Sequence, residues 1–279
     1  MVSGLSIFIW GLVKKVIFAD HFSGYVEEVY GMYEYRSSLD LLLASYAFSF
    51  QIYCDFSGYT DMARGIARLM GYELHPNFSS PYFAQNIREF WQKWHITLSM
   101  WFRDYVYIPL GGNHCSKIRS YINIFITMLI AGLWHGANLT FIAWGAFHGL
   151  LIGAYHFLDD LIPASSILKS QKPLAKFIKI IITYHTVLIG WIFFRAANIN
   201  QAYAIIRKIF SGDMTLLHYE YSFTLMIIIV IILTIKRYTP IKQLLSQNLF
   251  INWLCIWVGL FCAIIFGAIE KTDFIYFQF

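Results

Sequence analysis

Residues 120–158 read SYINIFITMLIAGLWHGANLTFIAWGAFHGLLIGAYHFL, 39 residues with no Asp, Glu, Lys or Arg. One helical crossing of a bilayer takes about 20 apolar residues, so this run is long enough for two. Further uncharged runs recur along the chain. Gln243–Ile269 covers 27 residues, and Leu41–Cys54, Ile180–Phe194 and Tyr221–Ile235 reach span length once a few flanking residues are added. The runs are too long for barrel strands, which average about 10 residues with alternating character. The pattern predicts an all-α, polytopic, multi-pass membrane protein.

Composition agrees. Of 279 residues, 58% are hydrophobic and 13% charged, where soluble domains carry about a quarter charged residues. Mean hydropathy is +0.55. The net charge of +5 gathers in loop clusters, Lys169 to Lys179, Arg207-Lys208 and Lys236 to Lys242. Such clusters mark cytoplasmic loops. None is interleaved with a soluble domain, so no nucleic-acid partner is expected. The N-terminal apolar run precedes Lys14-Lys15 rather than following a basic stretch, which is not the order of a secretory signal. Cys54, Cys115, Cys255 and Cys262 show no ligand spacing, and no HExxH or carboxylate–histidine cluster suggests a metal. Packing is the expected role of Cys255 and Cys262.

No internal repeat is visible, and the chain reads as one domain over 1–279. Helices are predicted near 3–18, 39–70, 174–196, 222–236 and 249–269, with a hairpin at 120–158 and a loop at 72–82 around Pro76 and Pro81. Asp61, Arg64 and Arg68 fall on one helix side. Residues 86–113 are unusual. Trp91, Trp94, Leu98, Trp101 and Tyr105 keep the spacing of one helix face, and Pro109–Gly112 ends it. Arg88, Glu89, Lys93, Arg103 and Asp104 are too many charges for a lipid-facing span. A helix of this kind lies at the interface or is wrapped in protein.

A histidine inside an apolar run must face a partner or a cavity. His135 lies deep within the uncharged run, beside Trp134 and between Gly132 and Gly136, whose lack of a Cβ permits close approach of backbone or ligand. Burial keeps an imidazole neutral, the form a general base requires. His148 follows 13 residues later. On one straight helix that spacing is about 20 Å, so the two share a site only if the helix breaks near Ala137-Asn138. The spacing also resembles paired haem ligands, but no second pair accompanies it. His185 reads as a satisfied core residue, and His21, His75, His114, His156 and His218 fall near segment ends. No GxSxG elbow supports a serine nucleophile. His135 with His95, the latter next to Trp94, suits deprotonation of a hydroxyl for attack on an activated acyl group.

The stretch REFWQKWHITLSMWFRDYVYIPLGGN (88–113) resembles the signature of the membrane-bound O-acyltransferases, and within them the bacterial branch acting in alginate O-acetylation. GLVKKVIFAD (11–20), QIYCDFSGYTDMARGIARLMGYELHPNFSSPY (51–82), GLWHGANLTFIAWGAFHG (132–149), GWIFFRA (190–196) and FIYFQF (274–279) resemble it too. The resemblance implies that His135 is the essential histidine and His95 the second functional one. It implies site support from Asp55, Ser57, Gly58, Tyr59, Asp61, Trp94, Arg103, Asp104, Trp134 and Gly136. It further implies tilted, interfacial and re-entrant helices around a central tunnel in the bacterial inner membrane, surrounded by lipid. No bound cofactor is implied. The acyl donor would be acetyl-CoA, and a periplasmic transferase partner would modify alginate, peptidoglycan or another polysaccharide. Members carry further helices before GLVKKVIFAD, so the chain resembles the C-terminal portion of one. A non-catalytic fragment that assembles with another membrane subunit is the alternative.

Overall fold

A computed structural model describes residues 2–163, 170–212, 215, 221–238, 248–268 and 274. Lys169, His218, Lys242 and residues 275–279 of the terminal motif lie outside the described residues. Among the described residues the chain is helical, with no strand. Four helical segments among the described residues are long and apolar enough to cross a membrane: Val2–Gly31, Leu139–Leu161, Pro173–Arg195 and Leu249–Phe266. The contacts divide into two compact units, 1–76 with 207–279, and 77–206.

The first unit is built on two long helices. Helix α1 (Val2–Val13) runs through a π-helical stretch, Lys14–Ala19, into α2 (Asp20–Gly31). It packs against α3 (Ser38–Leu69), whose start is fixed by a capping box: the Ser37 hydroxyl accepts from the Asp40 amide, and the Asp40 carboxylate accepts from that of Ser37. Two glycine pairs let the backbones nearly touch. A Cβ on Gly11 would lie 2.5 Å from the Gly58 carbonyl oxygen, and one on Gly65 2.7 Å from that of Gly4. Small residues at a crossing are how apolar helices gain contact where lipid supplies no hydrophobic drive. Helices α10 (Tyr221–Tyr238) and α11 (Leu249–Phe266) complete this unit. On α10, Phe223 meets Tyr25 edge to face. Most of α11 is exposed within this unit, Cys255 included.

The second unit is built on the predicted hairpin. Helix α6 (Lys117–His135) turns at Gly136–Asn138 into α7 (Leu139–Leu161). The break near Ala137-Asn138 is therefore present. Asn138 makes it twice over: its side chain accepts from the Thr140 amide at 3.1 Å and donates to the Ala197 carbonyl at 3.0 Å. Gly132, Gly145 and Gly149 form the crossing; a Cβ on Gly145 would sit 2.3 Å from the Met128 carbonyl oxygen. Helix α8 (Pro173–Arg195) packs on α7, and α9 (Ile199–Ile209) follows it. His185 is exposed on α8, its ring bonded at 2.8 Å to the Ile181 carbonyl. It is satisfied, as expected, but it is not in the core.

Residues 86–113 depart from the single helix that their spacing predicts. They form α4 (Ile87–Lys93), α5 (Ile96–Phe102) and a π-helical stretch, Arg103–Tyr107. The break falls on His95.

Candidate functional site

His95 is left-handed, with φ +41°. That conformation is strained for any residue with a Cβ, and persists only where surroundings over-determine it. The predicted loop supplies the restraint. The Asn77 carbonyl accepts from the Ile96 amide at 3.0 Å, and the Ser79 amide donates to the Lys93 carbonyl at 3.1 Å. The Asn77 side chain accepts from both the amide and the hydroxyl of Thr97, at 3.1 and 2.7 Å. Loop 77–79 thus straps both sides of the break and aims His95. Burial lowers its imidazole from 6.5 to about 4, so it is neutral at physiological pH.

His135 ends α6. Gly136 leaves the helix at φ +155°, and a Cβ there would also lie 2.9 Å from the Phe141 ring. The imidazole sits among aromatic rings: Phe194 at 4.9 Å, Trp134 at 4.9 Å and Trp144 at 5.1 Å between centroids. His95 and His135 lie within electrostatic reach of each other. Two neutral imidazoles in a largely dry aromatic setting can take a proton from a hydroxyl and pass it on.

Trp94 is buried in the wall, 4.8 Å from Trp191 and 5.6 Å from Phe90. Trp134 is half exposed and touches His135 and Phe102. Arg103 and Asp104 are exposed and pair with each other at 2.7 Å, a bond that holds the Asp104 carboxyl below its ordinary value. The candidate site of this unit thus brings together His95, His135 and their aromatic neighbours, and the Arg103–Asp104 pair is exposed.

In the first unit, Asp55, Ser57 and Asp61 belong to a buried charge network. Lys15 bridges Asp20 and Asp55, each at 2.9 Å. Lys14, 1% exposed, donates to Ser57 at 2.8 Å and to Asp61 at 2.7 Å, and Asp61 also receives Arg64 at 2.8 Å. Both lysines sit in the π-helical stretch, a distortion that recurs at functional sites. Gly58 is the α1 crossing. Tyr59 is half exposed and stacks on Phe274 at 4.7 Å.

Sequence spacing did not single out Lys14 and Lys15 as buried, nor Asn77, Trp144, Phe194 and His148 as neighbours of the histidines. His148 lies on α7 with Trp144 at 5.1 Å, so His135 and His148 flank the same indole from two helices. The same-helix ladder of paired haem ligands is not formed. Lysines buried on a helix flanking CDFSGYTD could have been found by asking what neutralises Asp55 and Asp61.

The sequence relations point the same way. The model of the membrane-bound O-acyltransferase family matches residues 8–198. The chain is 41% identical over 208 residues to a Pseudomonas aeruginosa protein named "Probable alginate O-acetylase AlgI", covering 75% of this chain and 38% of the relative. It is 39% identical over 204 residues to the peptidoglycan O-acetyltransferase of Helicobacter pylori, covering 73% and 38%. It is 34% identical over 160 residues to the teichoic acid D-alanyltransferase of Bacillus subtilis, covering 55% and 40%. The chain thus spans about two fifths of the length of these relatives. The helical membrane fold, the histidine-bearing hairpin and the family match together place the chain in the membrane-bound O-acyltransferase family.

Proposed function

We propose that this chain carries the acyl-transfer portion of a bacterial inner-membrane O-acyltransferase. The group moved is acetyl, taken from a cytoplasmic thioester donor, acetyl-CoA. It is passed across the membrane to a periplasmic partner that O-acetylates an exported or cell-wall polysaccharide. His135 acts as the base and His95 assists. The observation that supports this reading most is the strapped, strained and neutral His95 held within reach of His135 in one aromatic setting. Strain of this kind is kept where geometry matters to function, and the named relatives transfer acyl groups.

The test is base-labile acetate on the cell-surface polysaccharide of a deletion strain. Complementation with the chain is expected to restore acetate, and His135→Ala to abolish the restoration. Equal restoration of acetate by both versions would overturn the role of His135.

A further inference from the structure

Beside His135 lies a second polar feature that this reading does not use. The rings of Trp91, Trp144 and His148 touch pairwise, with centroids 5.1 to 5.6 Å apart. His148 is 0% exposed. Its Nδ1 and Nε2, and the Nε1 of Trp91 and Trp144, are buried with no hydrogen-bond partner among the described residues. Buried polar atoms are almost always paired, and each that is not calls for an explanation. Here one ligand would serve three of the four, and Gly190 accounts for Nε2.

The chemistry of those atoms selects the ligand. An indole has only a donor to offer, and a neutral imidazole has one donor and one acceptor. Gly190 decides which imidazole nitrogen is which. A Cβ at Gly190 would lie 2.6 Å from Nε2, so the Nε2 edge is seated directly on α8 backbone that carries no side chain there. That edge faces a Cα–H, which suits the acceptor nitrogen. The proton then sits on Nδ1. Three N–H donors are left on one triangle of rings, and they call for an oxygen that offers lone pairs. Trp144 touches His135 and His148 at the same centroid distance, so this cluster and the proposed base share one indole.

We propose that Trp91, Trp144 and His148 form a donor-rich subsite that receives the carbonyl oxygen of the acyl group. The proposal rests on the acyl-transfer reading and deepens it. In the step it serves, the acceptor hydroxyl oxygen bonds to the thioester carbonyl carbon and the carbonyl π pair moves onto oxygen. The three N–H groups bind that oxygen as its charge grows. Collapse re-forms the carbonyl and breaks the carbon–sulfur bond. His135 takes the hydroxyl proton and returns it to the thiolate, leaving an ester and a thiol. A bound water is the other source of such an oxygen, and the test separates the two.

The probe is acetyl-CoA labelled with ¹³C at the thioester carbonyl, followed by difference infrared spectroscopy on the full chain in lipid nanodiscs. His135→Ala is used to prevent turnover. The labelled band is expected at lower frequency than in free acetyl-CoA, and to return to the free position in His135→Ala/His148→Phe. With His135 present, His148→Phe is expected to lower kcat about 100-fold at unchanged KM. His148→Gln, which keeps an N–H donor, is expected to recover part of that loss. Thermal unfolding within a few degrees of the parent shows that these variants fold. A band unmoved by His148→Phe means that the oxygen bound there is water, and overturns the proposal. So does a rise in KM at constant kcat. Absence of any bound band from acetyl-CoA instead overturns the acetyl-CoA donor reading on which the proposal rests.

Discussion

The two units bury polar groups by opposite means. In the first, the buried charged groups flanking the α1 crossing are compensated: Lys15 lies between Asp20 and Asp55, and Lys14 between Ser57 and Asp61. In the second, the polar groups around the candidate site are neutral rings, histidines and tryptophans packed on one another, and among the described residues no carboxylate is buried with them. The difference follows from cost. An ion in an apolar setting is tolerated only with its counter-ion. A neutral imidazole or indole is tolerated at a smaller cost. A charge network of the first kind holds helices in one register.

The comparison breaks most visibly at Lys15. Lys15→Met would leave Asp20 and Asp55 buried together without their cation. Removing one partner of a buried pair costs about 3–5 kcal/mol. The expected outcome is loss of folded protein in detergent extracts, measured by fluorescence-detected size exclusion. Adding Asp20→Asn and Asp55→Asn to Lys15→Met is expected to recover most of it, because the uncompensated charge is then gone. A well-folded single variant would show that the network does not carry the register of the first unit.

A smaller effect is expected at the helix crossing of the second unit. Gly145→Ala adds a Cβ where the Met128 carbonyl oxygen lies only 2.3 Å away. Backbone cannot yield as a flexible side chain does, so α6 and α7 must separate. Overpacking of this kind costs about 1–3 kcal/mol. Because α6 carries His135 and α7 carries Trp144, acyl transfer should fall by more than the lost stability explains. Full transfer in a destabilised Gly145→Ala protein would show that the hairpin crossing does not set the histidine's place.

Much of this fold was legible. The ends of α3 and α8 fall within a residue of the boundaries read from composition, because capping residues and long apolar runs are local signals. The hairpin was legible because no charge interrupts 120–158. The break at His95 was not. Trp91, Trp94, Leu98, Trp101 and Tyr105 hold one helical phase straight through it, so periodicity continues where the helix stops. What breaks the helix is Asn77, 18 residues upstream, and a hydrogen bond across that distance leaves no periodic trace. The shared indole between His135 and His148 was legible only as a condition, that the chain turn near Ala137-Asn138. The lysines of GLVKKVIFAD were read as residues following an apolar run, and nothing in their spacing told that the helix buries them.

The gentlest way to sharpen the comparison is acid. Burial lowers His95 from 6.5 to about 4. Between those values the unfolded chain binds a proton that the folded chain refuses. Stability then falls as pH drops, by at most about 1.4 kcal/mol per pH unit from this group. Above pH 6.5 both states leave the imidazole neutral, and the contribution is flat. The first unit has its own acid limb at Asp61, where burial raises the carboxyl but Lys14 outweighs it and holds it below its ordinary value. The two are separable by comparing the parent with His95→Gln, which cannot titrate. The expected result is a parent that loses stability faster than His95→Gln as pH falls from about 6.5 toward 4, with parallel curves above. Parallel curves throughout would mean that His95 takes up its proton in the folded state, and a base at that position would then be charged when the neutral aromatic setting requires it not to be.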